Sequence, residues 1–439
     1  MSRTARSQVR RQRLHLLGGG MRMVLGVQLP DAVIKSLMAA SGVRYRNRIL
    51  TPTVTVWGLT FQALSPKLSD ADLVQHVNVW LKESLRPDSG ALSSARTRLP
   101  LSVIEGAAKH VAENAPQHCA AFPERRVLIL DGSTIELADT PENQAKYPQS
   151  STQKAGCGFP LLHFAALIDH ATGCIVDMVC GPLNVHDARL ARPLWDRIQP
   201  GDIVLADRAY ASFCFIAAMR DRGADVVVHQ HQRRTTQPME GDMDDRQAEW
   251  TKPRAYVDWW DAELPKTLGV RVVQAKISPI KILIVNTTLD PDAYPPATIL
   301  ALYQTRWRIE TFFADLKITL GLEDYHAKSP ETAVKALWVH ALAHNLVCGV
   351  LVGVADAYDL DRNELSFKRA VQALISGVAL VAETVREAWQ WVANMVARCP
   401  KRHRPGRQEP RRIKKRLKPY PYITRARRFY KALLLDGRP

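Results

Sequence analysis

No two cysteines in this 439-residue chain have C-x2-C spacing. The seven that occur, Cys119, Cys157, Cys174, Cys180, Cys214, Cys348 and Cys399, are odd in number. That excludes a disulfide framework and a cysteine-rich zinc site, and fits a reducing cytoplasm. His163, His170, His229 and His231 show no zinc-ligand spacing with a cysteine and read as structural. No Walker A loop is visible, which argues against ATP-driven movement. No G-x-S-x-G is visible for a hydrolase serine. The apolar run after the basic start is too short for a signal peptide core. The most apolar stretch, LWVHALAHNLVCGVLVGVA, is interrupted by His340, His344 and Asn345. It reads as a buried helix rather than a membrane span. Acidic residues are also short, 43 against 60 Lys and Arg, giving a net charge of +17. A pI of about 9.7 favours a polyanionic partner, chiefly nucleic acid. No lipidation motif or long basic amphipathic helix points to a membrane surface.

The chain divides into five stretches. Residues 1–120 read as a helical DNA-binding region behind an arm that carries Arg3, Arg6, Arg10, Arg11 and Arg13 without an acid. Within it, SDADLVQHVNVWLKESL begins at a plausible Ser69 cap, and a Gly-bearing turn leads to ALSSARTRL. Helix, turn and short basic helix suit a helix-turn-helix, with Arg96 and Arg98 as candidate DNA contacts. From residue 124 the apolar period changes. RRVLILD, LLHFAALID, CIVDMVC, DIVLAD and ADVVVHQH read as strands, with helices HDARLARPLWDRI and SFCFIAAMRDRG between the later ones. The order βββαβαβ over 121–231 is that of an RNase H-like α/β fold with a mixed sheet. Residues 232–296 are too long for a loop and contain β-like runs, so they read as an inserted β-subdomain. Residues 297–370 return to the catalytic domain. Residues 371–439 are helical and then basic, with Tyr420, Tyr422, Phe429 and Tyr430 interleaved among Lys and Arg. Such a tail suits phosphate contact.

Two aspartates close strands, Asp131 after VLIL and Asp207 after IVLA. Residues at the carboxyl ends of neighbouring strands converge, where ligand sites of open sheets lie. Downstream, ATILALYQTRWRIETFFADLKITLGL reads as one long helix without internal Gly or Pro. At about 100° per residue, with Tyr303 at zero, Arg306 falls at about −60°, Glu310 at about −20° and Lys317 at about −40°. The four groups share one stripe, and Leu302, Ile309, Phe313, Leu316 and Leu320 form a separate apolar face. Three carboxylates around one point repel unless a dication is present. Asp131, Asp207 and Glu310 would hold the metal, and Arg306 and Lys317 the phosphate oxygens. Asp139, Asp169, Asp177 and Asp187 are the competing acids. Asp169 looks like turn chemistry and Asp187 like a first-turn helix acid.

The spacing Tyr-x2-Arg-x3-Glu-x6-Lys resembles the YREK signature of IS4-family DDE transposases. The blocks DGSTIELADTPENQAKYPQ, GCGFPLLHFAALIDHATG and GDIVLADRAYASF resemble that family too, over most of 125–330. The resemblance implies a cut-and-paste DNA transposase that frees its element through hairpin ends. It implies two Mg²⁺ ions, with Mn²⁺ able to substitute, held by Asp131, Asp207 and Glu310. It implies Tyr303, Arg306 and Lys317 as DNA contacts near the scissile phosphate. The partners would be the terminal inverted repeats and target DNA, bound by a homodimer in the bacterial cytoplasm. Trp259 and Trp260 are the candidates to hold a flipped base, since extrusion needs a stacking surface. The alternative is a catalytically silent, transposase-derived DNA-binding regulator.

Overall fold

A computed structural model describes residues 21–45, 49–81, 87–116, 125–234, 238–239, 241–253, 264–278, 281–376, 384–401 and 423–435. The arm 1–20, Trp259, Trp260 and the tail segment 402–422 with Tyr420 and Tyr422 lie outside them. One eight-stranded sheet organises the rest, in the order β3-β2-β1-β4-β5-β8-β7-β6. Its strands are β1 (Val127–Glu136), β2 (Leu161–Asp169), β3 (Ile175–Pro182), β4 (Ile203–Ala206), β5 (Asp225–His229), β6 (Met243–Thr251), β7 (Thr267–Ser278) and β8 (Lys281–Thr287). β1, β2 and β3 form an antiparallel meander, and β4 and β5 add in parallel beside β1. The five-strand order 3-2-1-4-5 is the RNase H-like arrangement expected from the strand pattern.

The segment 232–296 departs from expectation. Among its described residues it builds no separate sheet. β8 pairs antiparallel with β5, and β7 and β6 follow as a hairpin edge. β7 and β8 carry buried alternating valines and leucines that continue both faces of the sheet. β5 would otherwise present a bare edge, and pairing it is cheaper than leaving its backbone groups unsatisfied.

Strand alternation gives the sheet two cores. Val127, Ile129, Ile203 and Leu205 face one cluster, which also contains the amino-terminal helices and the long helix Pro330–Tyr358. Leu128, Leu130, Val204 and Ala206 face the other, filled by Trp195, Phe213, Phe215 and Ile216. The long helix is apolar enough to cross a membrane by length and composition, but 94% of its apolar window is buried inside the protein. Asn345, one of the polar interruptions in that run, explains why. Its Oδ1 accepts from the Ile175 N–H at 2.8 Å, and its Nδ2 donates to the carbonyls of Ile175 at 2.9 Å and Ala108 at 3.0 Å. A single side chain thus satisfies the edge of β3 and joins it to the helix Leu101–Glu113. The two helices read as a helix-turn-helix are present, Asp70–Leu81 and Ser89–Arg98, the first capped by Ser69 Oγ accepting from the Asp72 N–H at 3.1 Å.

Candidate active site

The register of β1 against β4 sets the site. The parallel pairing runs Val127 with Ile203 through Leu130 with Ala206. The next residue on each chain is an aspartate. Asp131 and Asp207 therefore stand level, on the same face, on strands about 4.8 Å apart. Asp131 does not end its strand, however. β1 continues to Glu136 along β2, while β4 stops at Ala206. Asp131 sits where the sheet loses its β4 neighbour, and that gap admits the helix carrying Arg306. Each aspartate spends one oxygen on a backbone N–H just after it in the chain. Asp131 Oδ1 accepts from the Gly132 N–H at 2.8 Å, and Asp207 Oδ1 from the Ala209 N–H at 2.8 Å. Asp131 Oδ2 accepts from Arg306 at 2.8 Å. Burial, and then the charge of Asp207, push the Asp131 carboxyl up to about 6. One guanidinium does not offset two carboxylates crowded in a half-dry site.

The segment expected to form one regular helix changes pitch twice. Pro296–Gln304 is α-helical, Thr305–Trp307 is a 3₁₀ turn, Arg308–Ala314 is α-helical and Asp315–Thr319 is a π turn. Thr305 contributes to the first change by donating its hydroxyl to the Leu302 carbonyl at 2.6 Å, which competes with the α-helical ladder. The second is closed by the Leu320 N–H donating to the Asp315 carbonyl at 2.9 Å, five residues back. The apolar face holds, since Leu302, Ile309, Phe313, Leu316 and Leu320 are all buried.

The polar stripe does not hold as one. Tyr303 is buried, its phenol pushed up to about 12 chiefly by burial, and stays protonated beside Arg306. Lys317 pairs with Glu323 at 3.6 Å rather than with either aspartate. The Glu310 side chain is 73% exposed, and its nearest charged partner is Arg306 at 3.8 Å. Arg306 thus lies between Asp131 and Glu310. Beneath the 3₁₀ turn, His170 Nε2 stands 2.7 Å from Thr305 Oγ1 and 3.2 Å from Arg308. Burial, then the guanidiniums of Arg308 and Arg362, push that imidazole down to about 4, so it is neutral, as befits a structural histidine.

Asp131 and Asp207 fit a divalent cation, because their mutual repulsion is what a dication relieves. Glu310 stands apart, and among the described residues no three His, Cys, Asp or Glu side chains gather closely enough to hold a metal. The competing acids have separate employment. Asp169 Oδ1 accepts from both the N–H and the hydroxyl of Thr172 at 2.8 Å, as hairpin chemistry requires. Asp177 pairs with Lys109 at 2.7 Å. Asp139 accepts from Gln144 at 3.0 Å. Asp187 accepts from His163 at 2.8 Å, next to the site.

Of the two DNA candidates in the amino-terminal helices, Arg96 is withdrawn. Its guanidinium donates to Asp70 at 2.7 Å, Tyr325 at 3.0 Å and Gln62 at 3.3 Å, and its side chain is only 13% exposed. A guanidinium so committed joins helices and has little left for a phosphate. Arg98 is exposed beside the Tyr45 ring. The sequence reading placed Trp307 beside the polar face without giving it a role, and it passed over one pairing, that of His163 with Asp187. Trp307, next to Arg306, is 60% exposed. An exposed tryptophan beside a charged site is a stacking surface, and its place within TRWRIE was the available signal. The His163–Asp187 pair carried no signal, because the two residues are brought together only by the packing of β2 against the helix Asp187–Leu190.

A transposase DDE domain family model matches residues 122–346. Transposase InsG for insertion sequence element IS4, from Escherichia coli (strain K12), is 25% identical over 348 residues, 76% of this chain and 77% of that protein. A piggyBac transposase synaptic complex with hairpin DNA overlaps 89% of this chain and 86% of its own at 10% identity, with a TM-score of 0.47.

Proposed function

The chain belongs to the DDE transposases, of the IS4 family, and is an enzyme of that class; from this we propose that it cuts and joins DNA by metal-dependent phosphoryl transfer at Asp131, Asp207 and Glu310. The observation that carries the reading is the Asp131–Asp207 pair, level on neighbouring strands, with Arg306 bonded to Asp131 at 2.8 Å. Bound Mg²⁺, two ions in this reading and replaceable by Mn²⁺, would activate a water or 3′-hydroxyl and offset charge on the leaving oxygen. Asp131 and Asp207 would hold it, and Glu310 would turn in from its exposed position to join them. Arg306 would exchange Asp131 for a phosphate oxygen, and Lys317 would leave Glu323 for another. Tyr303, neutral and buried against Arg306, would keep that guanidinium on the site side.

The substrate is double-stranded DNA, the terminal inverted repeats of an insertion sequence and a target, handled in the bacterial cytoplasm by a homodimer. Cut-and-paste release through hairpin ends would need an extruded base. Trp259, Trp260 and the exposed Trp307 are the stacking candidates. The basic tail and Arg98 would add phosphate contacts.

The test is nicking, hairpin formation and strand transfer on labelled element ends with Mg²⁺. The parent should give all three products. Asp131→Ala should lose nicking while end binding stays nearly intact, since phosphate contacts elsewhere dominate affinity. An Asp131→Ala protein that still cuts would overturn the assignment. A parent that binds ends without nicking them would make the chain a regulator.

A further inference from the structure

We propose that His163 and Asp187 are positioning residues, a pair on the far side of β1 that braces Gly132 and thereby holds Asp131 in its metal-binding pose. The inference rests on the reading of Asp131 as a metal ligand.

The argument begins with strand parity. Gly132 follows Asp131, so it faces the opposite side of the sheet. There β2 sets Ala165 across from Gly132 and His163 across from Thr134, on the same face. His163 Nε2 meets Asp187 Oδ1 at 2.8 Å, and the His163 side chain is 7% exposed. Both groups occupy the space that a side chain at Gly132 would enter. A Cβ added there would stand 3.1 Å from His163 Nε2 and 3.2 Å from Asp187 Oδ1. Glycine is needed at this position for room, since its φ is not positive. The peptide N–H so braced is the one that donates to Asp131 Oδ1 at 2.8 Å.

The surroundings make a purely architectural role expensive. This face of the sheet is otherwise packed with Leu128, Leu130, Ala165, Leu167, Val204 and Phe215. Asp187 is 38% exposed at the rim of this core, but the His163 imidazole it bonds is buried, and burying a polar group costs free energy that an apolar side chain would avoid. A third member belongs to this polar cluster. Tyr210, fully buried, has a hydroxyl without a hydrogen-bond partner and lies in the field of Asp187, Asp131 and Asp207. Its backbone N–H donates to the Asp207 carbonyl at 3.2 Å. The cluster thus touches the turns behind both carboxylates.

Groups that orient a metal ligand typically cost about 10–100-fold in metal affinity or activity when removed. Mn²⁺ binding to the protein–DNA complex, read by electron paramagnetic resonance, and single-turnover nicking are measured for Asp187→Asn, His163→Ala, His163→Gln and Gly132→Ala. Folding is checked by circular dichroism, and Asp131→Ala is the control. Asp187→Asn and His163→Ala should weaken Mn²⁺ binding within that range. His163→Gln, whose amide can still donate to Asp187, should recover most of it. Gly132→Ala should be damaging alone and add less in the His163→Ala background, because the nearest atom it strikes is gone and Asp187, without its partner, is free to give way. Parental Mn²⁺ affinity in both Asp187→Asn and His163→Ala, together with additive Gly132→Ala damage, would overturn the proposal. Mn²⁺ affinity unchanged in Asp131→Ala would instead overturn the metal-ligand reading beneath it.

Discussion

Asp131 and Asp207 stand together at the ends of neighbouring parallel pairings, whereas Tyr303, Arg306, Glu310 and Lys317 lie on a run of helix that leaves the α-helical pitch twice and brings only Arg306 to an aspartate. A strand residue has its face and level fixed by hydrogen bonds to both neighbours, so two aspartates one step past a paired Leu and Ala must stand together. A helical residue depends on every turn before it. A 3₁₀ turn advances about 120° per residue against about 100° in an α-helix. Across these changes Arg306 reaches Asp131, Glu310 stays exposed, and Lys317, inside the π turn, pairs with Glu323. The strand half of the site is set by the sheet, whereas on the helix half the 73% exposed Glu310 side chain is not held by packing.

The largest effect should come from testing the two halves against each other. Asp207→Ala should slow single-turnover nicking by about 10³-fold or more, the loss of several kcal/mol of charge stabilisation. Glu310→Ala should match it if the helix closes on DNA. Nicking within about tenfold of the parent for Glu310→Ala alone would leave the helix carboxylate outside the metal site.

Arg306 joins the halves, so its loss should come next. Arg306→Ala is expected to slow cleavage by about 10²-fold, the scale for one preorganised donor. Arg306→Lys should restore little, because an ammonium lacks the planar fork that a guanidinium presents to a phosphate. If thermal stability falls and cleavage does not, the contact with Asp131 is only an ion pair.

A third test concerns the strand half alone. Asp131 titrates near 6 in the folded protein, above the ordinary 3.8 of an unfolded aspartate. Near neutral pH both states carry the charge, and the folded state bears its cost. As pH falls through about 6 the folded carboxyl takes a proton that the unfolded one does not, so the cost is relieved. Metal-free Asp131→Asn should therefore be more stable than the parent near neutral pH, by on the order of 1–3 kcal/mol, and the gain should fade as pH approaches 4. Thermal unfolding across that range checks it, and a gain independent of pH would place the strain elsewhere.

The smallest effects belong to the amino-terminal arginines. Arg96→Ala should cost about 1–3 kcal/mol of stability by leaving Asp70 and Tyr325 without their donor, and should leave the salt dependence of end binding unchanged. Arg98→Ala should alter stability by no more than about 0.5 kcal/mol. It should flatten the salt slope by about 0.9 if it touches a phosphate. A flattened slope for Arg96→Ala would return that residue to the DNA face.

How far each element was legible follows from where its pattern comes from. LLHFAALID and IVLA are buried on both faces, and an apolar run of strand length says so directly. β6, MDDRQAEWT, was not legible, because an edge strand with alternating exposure and four charges has no apolar signal. The attachment of β8 to β5 was hidden for a different reason. A strand run reports its own burial but not its neighbour, so an added edge and an independent subdomain read alike.

The sequence by itself determined the two aspartates, the spacing of the YREK segment, the apolar face beneath it and the buried long helix, since each is a local pattern written in side-chain type and period. Only the tertiary structure decided that Arg96 is spent on Asp70, that Glu310 points outward, and that His163 and Asp187 close against Gly132. These are contacts between residues tens of positions apart or departures from regular helical pitch, and no local period encodes either.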